Sequence, residues 1–266
     1  MFVPIIASLF LWALRDAARE GNLVKVMDLV LDGVSVHSHQ YLEQRSPLHE
    51  ACRYGHLNIV KYLLENTDAS AMATEKYALS TPLHEACIGG HIAVVDYLLS
   101  QGKADLYYLD KSQKSALHKA SAAGHVDLCR YLITHGDQGL PGTRMVDLKD
   151  KDARTPLHEA AQAGHAKVVQ FLVTEARARL HDQTITGDTP MHLACANDRV
   201  EVVKFLLGSK ARLDIRNLEG LTPLDCAQVS NSAALLLCLE QWTNRGAPIV
   251  VRARISTREM ICVVAA

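Results

Sequence analysis

Apolar residues recur along this chain in short runs with helical spacing. Ile59-Val60-Lys61-Tyr62-Leu63-Leu64 returns as Val94-Val95-Asp96-Tyr97-Leu98-Leu99 and as Val168-Val169-Gln170-Phe171-Leu172. In each run the apolar positions share one face of a helix, with polar residues opposite. A segment of small residues precedes each run: Ala51-Cys52, Ala86-Cys87, Ala160-Ala161 and, further on, Ala194-Cys195. It predicts a first helix whose small side chains let neighbours approach closely. Ser46-Pro47, Thr81-Pro82, Thr155-Pro156, Thr189-Pro190 and Thr222-Pro223 mark where that helix starts. The hydroxyl can cap free N–H groups, and proline suits the first turn. Gly55, Gly90, Gly124 and Gly164 mark where it ends, because glycine accepts a left-handed backbone cheaply. The expected unit is a helix pair. Polar connections such as Asp110-Lys111-Ser112-Gln113-Lys114 join one unit to the next.

The unit repeats in register. Ser46-Pro47-Leu48-His49 recurs with starts at Thr81, Ser115, Thr155, Thr189 and Thr222, at intervals of 35, 34, 40, 34 and 33 residues. Gly55-His56, Gly90-His91, Gly124-His125 and Gly164-His165 follow at a fixed distance, decaying to Asp198-Arg199. Leu14 to Asn22 is an earlier, degenerate copy, so seven repeats are expected, the first and last atypical. This Thr-Pro-Leu-His, Gly-His, Val-Val, Leu-Leu pattern resembles the ankyrin-repeat family. The resemblance implies an all-α fold, a solenoid of stacked helix pairs with β-turn fingers. It is expected to span residues 9–242, after a hydrophobic lead-in over 1–8 and before a C-terminal tail over 243–266 of unassigned structure. The interval of 40 places an insertion at 136–152, which is expected to lengthen a finger. One helix pair cannot bury its own apolar face. Stacked neighbours do so, and stability becomes a sum of repeat and interface terms.

Composition adds constraints. Of 266 residues, 48% are hydrophobic and 21% charged, and the formal net charge is −1. That suits a core-forming protein with no field to gather nucleic acid or anionic membrane. The seven cysteines are odd in number and lack Cys-x-x-Cys spacing. This argues against a zinc ribbon or a disulfide framework and for a reducing, cytoplasmic or nuclear setting. Met1 to Leu14 is almost wholly apolar, with no basic residue before Arg15. It lacks the basic start of a secretory signal and is short for a membrane span of about 20 residues. It is expected to pack on the first repeat, the alternatives being a signal or anchor or a mis-assigned start.

The histidines invite a metal or catalytic reading, but most of them occupy two repeated positions. His49, His84, His118, His158 and His192 form one column, and His56, His91, His125 and His165 another. In the family the first set braces a turn and the second shapes the inter-helix loop. His37 and His39 are weak metal candidates. The pairs His49-Glu50, His84-Glu85 and His158-Glu159 lack the second histidine four residues on that a zinc protease needs; Arg53, Ile88 and Gln162 stand there. No phosphate-binding loop, nucleophile elbow or dinucleotide fingerprint is present. The chain is therefore expected to be no enzyme, to hold no cofactor or metal, to take no small-molecule substrate, and to be monomeric alone.

What the resemblance leaves is binding of another protein on the inner surface. Carried over position by position, the variable sites before each turn include Arg53, Tyr54, Ile88, Ala122, Ala123, Gln162 and Asn197. Finger tips contribute Lys111, Lys114, Lys151 and Arg154. Arg53 and Tyr54 are expected as an anchor, since both types are frequent in hot spots. The partner is expected to cross Ala122 and Ala123. An adaptor is the leading reading. A narrower resemblance, carried by Thr189 to Cys195 and Asp198-Arg199-Val200-Glu201, is to gankyrin-like proteasome-assembly chaperones and implies a proteasomal ATPase subunit as partner. The insertion and the tail depart from that pattern. A third reading is the docking fragment of a larger regulatory protein.

Overall fold

The computed structural model describes residues 3–37, 45–101, 104–136, 144–230 and 232–243. Among them are fourteen α-helices and no strand. The helices are α1 (Val3–Glu20), α2 (Leu23–Leu31), α3 (Pro47–Tyr54), α4 (Leu57–Asn66), α5 (Pro82–Gly89), α6 (Ile92–Ser100) and α7 (Ala116–Ala123). Then follow α8 (Val126–Gly136), α9 (Pro156–Ala163), α10 (Ala166–Thr174), α11 (Pro190–Ala196), α12 (Val200–Gly208), α13 (Pro223–Val229) and α14 (Ala233–Thr243). Each odd helix packs on the even helix after it and on the next odd helix. Odd helices lie closer to one another than even helices do. Unequal spacing of the two rows bends the stack, so the odd helices and the fingers line its inner side.

The local signals read from the sequence do what their chemistry suggests. Ser46, Thr81, Ser115, Thr155, Thr189 and Thr222 are extended N-caps whose side chains meet the N–H of the third helical residue. The histidine at that third position completes the cap. His118 Nδ1 accepts from the Ser115 N–H at 3.2 Å and lies 2.8 Å from its hydroxyl. Its Nε2 donates to the Arg154 carbonyl at 3.0 Å, reaching the finger of the next pair. His49, His84, His158 and His192 do the same toward Ser80, Lys114, Asp188 and Leu221, His158 also facing the Asp182 carbonyl. Each imidazole thus locks its own helix start and ties two consecutive units together.

The second histidine column faces the other way. His56, His91, His125 and His165 donate back to the carbonyls of Arg19, Arg53, Ile88 and Ala122, at 2.9–3.0 Å. Arg199 replaces the histidine in the next copy and donates to Gln162 at 2.9 Å. These residues are inter-repeat braces more than loop-shapers. At the corresponding place in the first pair stands Asn22, which caps its own helix through Lys25 instead.

One continuous apolar core runs from Leu14 to Leu239. Leu98 is completely buried in it. Leu98→Ala is expected to cost about 2–5 kcal/mol, read as a lower urea midpoint.

Two regions differ from the pattern. Helix α1 runs unbroken from Val3, so the expected lead-in and the first repeat share one helix. Leu11 and Leu14 are buried, while Leu9 and Trp12, on the opposite side, are 62% and 63% exposed. Only one face of a helix can meet α3, so the apolar start packs by half. The described part of the insertion does not lengthen the finger tip. It forms a 3-10 turn, Met145–Asp147, that buries Met145 and Val146 against α8 and α9. The finger after it keeps the same five-residue turn as its neighbours: Asp150 N–H donates to Arg154 as Asp110 donates to Lys114. Residues 244–266, and with them Cys262 and nearly all of the tail, lie outside the described residues, as does His39.

Candidate partner-binding surface

The fingers form a continuous wall because each is bonded to the one before. Lys111 N–H donates to the Ala78 carbonyl at 2.8 Å, Lys151 to Ser112 at 3.0 Å, Ile185 to Asp152 at 3.0 Å and Leu218 to Thr186 at 2.9 Å. These four residues hold one structural position, the tip of successive fingers. Beside this wall lies the row of C-terminal turns of the odd helices, whose Ala122, Ala123 and Gln162 are half-buried and form a floor of small or uncharged side chains.

Most charges along this surface are already paired inside the chain. Arg53 donates to Glu85 at 2.7 Å, and Arg45 lies 3.5 Å from the same, nearly inaccessible carboxylate. Arg15 meets Glu50 at 3.3 Å one unit earlier. Lys114 donates to Glu159 at 2.9 Å, and Arg154 to Gln162 at 2.7 Å with Glu159 at 3.5 Å. Lys119, where three other copies carry glutamate, turns to Asp110 at 2.5 Å. Burial pushes the Asp110 carboxyl up, but Lys119 and the turn N–H groups outweigh it and hold it below its ordinary value. The pairs Arg15–Glu50, Arg53–Glu85 and Lys114–Glu159 brace neighbouring units across the inner row, whereas Arg154–Glu159 and Lys119–Asp110 lie within one unit. Removing one partner strands a buried charge, which is far costlier than breaking an exposed pair.

The expected site residues therefore divide. Lys111 and Lys151 are exposed tips with no ion pair among the described residues. Tyr54, the last residue of α3, is 46% exposed. Ile88, Ala122, Ala123 and Gln162 form the half-buried floor. Arg53, Lys114 and Arg154 reach the surface but spend their charge on Glu85 and Glu159. Asn197 donates its amide to the Leu193 carbonyl of its own helix at 2.9 Å. The structure thus brings together the middle of the row with two lysine tips, and Tyr54 is a cleaner probe of contact than Arg53. The sequence reading missed the buried glutamates Glu50, Glu85 and Glu159. Their signal was their place one residue after three of the five bracing histidines. It also missed Ile185 and Leu218, aliphatic residues at finger tips where Lys111 and Lys151 stand in earlier copies.

The remaining ionisable groups offer little chemistry. Burial pushes the thiols of Cys52, Cys87 and Cys195 far above their ordinary range and those of Cys129 and Cys226 up to about 11. A thiol held protonated is a poor nucleophile. Burial also lowers the bracing imidazoles, His84 and His158 to about 4, which keeps them neutral. No described helix is long and apolar enough to cross a membrane.

A one-dimensional stack of capped helix pairs, with bonded fingers and an inner floor, defines a repeat scaffold. The family model described as ankyrin repeats matches the chain in three copies, over residues 14–110, 103–184 and 174–245. The chain belongs to the ankyrin-repeat family, whose repeats generally serve as protein–protein interaction modules.

Proposed function

We propose that this chain is a non-enzymatic adaptor that, as a monomer, holds a partner protein along its inner helix and finger surface. The observation that carries this reading is the floor of Ile88, Ala122, Ala123 and Gln162 beside Lys111 and Lys151, two finger-tip cations without an ion pair among the described residues. Small floor residues let a partner backbone approach, and unpaired rim charges set its register and speed its arrival.

Affinity purification from the native cell, with wild type beside an Ala122→Arg/Ala123→Arg variant, tests this placement. Both alanines are partly open, so the variant is expected to keep its helical circular dichroism and melting temperature. Loss of the recovered partner with folding intact supports the reading. Equal recovery by both baits removes the partner from the inner floor. Recovery of proteasomal ATPase subunits, lost in the variant, would turn the adaptor reading into the gankyrin-like chaperone.

A further inference from the structure

The inner surface ends, on its C-terminal side, in a groove of about 380 Å3. Ala196 of α11, Cys226 and Val229 of α13, and Leu218 and Leu221 of the last finger line it, with Glu219 at its rim. Leu218 is 80% exposed and Val229 78%. A single bare leucine is ordinary on a protein surface. Here two open aliphatic side chains converge on a recess where Ala196, Leu221 and Cys226 stand beside Thr186, Asp188, Asn217 and Ser230, at the end of the surface already assigned to binding. The finger tips change along the stack, from Leu218 and Ile185 at this end to Lys151 and Lys111 toward the N-terminus. Lys76, on the next finger, is exposed and also without an ion pair among the described residues. Near the groove the polarity reverses. Asp188 accepts from Asn217 at 2.8 Å and Thr186 at 2.7 Å, whereas the Glu219 side chain stands open.

This apolar-to-basic gradient fits one kind of occupant. We propose that the groove takes a single aliphatic or aromatic side chain of an extended, acidic partner segment, which runs back across the fingers with carboxylates against Lys151 and Lys111. The proposal rests on the inner-surface reading and names the chemistry of its partner. Stacked helices stand roughly 8–10 Å apart, and an extended chain advances about 3.3 Å per residue. Lys151 lies two fingers from Leu218, so the first acidic residue falls about six residues from the anchor, and the second, over Lys111, about three further on. Glu219 disfavours an acidic residue beside the anchor itself.

A selection of random twelve-residue displayed peptides on the full chain tests this. Enriched peptides are expected to share one large apolar residue and acidic residues at that spacing. Fluorescein-labelled copies should bind wild type and lose about tenfold or more in affinity, some 1.4 kcal/mol, to Leu218→Asp/Val229→Asp and to Lys111→Glu/Lys151→Glu. All four side chains are exposed, and unchanged circular dichroism confirms folding. Enriched peptides without acidic residues, or with affinity untouched by the groove variant, overturn the proposal. If such peptides are lost only to Ala122→Arg/Ala123→Arg, the groove assignment fails while the inner-surface reading stands. An absence of enrichment overturns the groove proposal and leaves the affinity purification to decide the broader one. A wild-type dimer by light scattering that the groove variant turns into a monomer assigns the groove to a second copy, and overturns it too.

Discussion

Between pH 7 and pH 5 the folded chain is expected to lose about 4 kcal/mol of stability through His84 and His158 alone, roughly 2 kcal/mol from each. Burial lowers both imidazoles to about 4, against the ordinary 6.5. In the unfolded chain they take up protons as the pH falls through about 6.5. In the folded chain they stay neutral until about 4, because burial outweighs the Nε2–H bonds to the Lys114 and Asp188 carbonyls, which favour the charged form. The unfolded state therefore binds more protons throughout that window, and stability falls with pH. His49, His118 and His192 are shifted in the same direction by burial and add to the effect. Asp110 does not confound it. Its lowered pKa makes its contribution vanish only below the ordinary carboxylate value of 3.8. A typical domain has only about 5–15 kcal/mol to lose, so the urea midpoint should move markedly. The check is a series of urea titrations at half-unit pH steps. A midpoint constant from pH 7 to pH 5 would mean that these imidazoles titrate normally. In a His84→Gln/His158→Gln variant, less stable at pH 7, the slope should flatten.

That expectation could not have come from the sequence alone, although both columns of histidines were visible there. Periodicity placed Ser115 and His118 at a helix start, and the structure has them there. What periodicity cannot supply is the acceptor at the far end of the imidazole, since Arg154 lies 36 residues on. The same limit governs the binding surface. Ala122 and Ala123 were legible as an open floor because small residues at a repeat position carry their exposure with them. Arg53 and Lys114 read as free charges because Glu85 and Glu159 belong to different units and meet them only through stacking, while Arg154 meets Glu159 within its own unit. The groove escaped for a related reason. Leu218 and Val229 are unremarkable apart, and only the fold sets the last finger opposite the end of α13. Local chemistry along one unit was readable, whereas contacts between units required the stack itself.

Those contacts also predict the second large effect, at a residue with no side chain. Gly90→Ala is expected to destabilise the chain by roughly 3 kcal/mol, the sum of a left-handed-backbone penalty of about 1–2 kcal/mol and the loss of a hydrogen bond worth about 1 kcal/mol. Gly90 has φ +79°, and an added Cβ would lie 2.5 Å from the His125 ring. That ring is no loose end that could swing aside. It is held by its bond to the Ile88 carbonyl at 3.0 Å, across the boundary between two units. Gly220 provides the comparison. It has φ +76° but open space where a Cβ would go, so Gly220→Ala should cost only the backbone penalty of about 1–2 kcal/mol. Urea denaturation of the two variants separates strain from collision. Equal costs would mean that the imidazole yields freely and that the glycine is there for its backbone alone. Adding His125→Ala to Gly90→Ala sharpens the test, because the collision disappears with the ring. The double variant should then cost less than the sum of the two single ones. Additive costs would remove the second histidine column from its place as the brace between units.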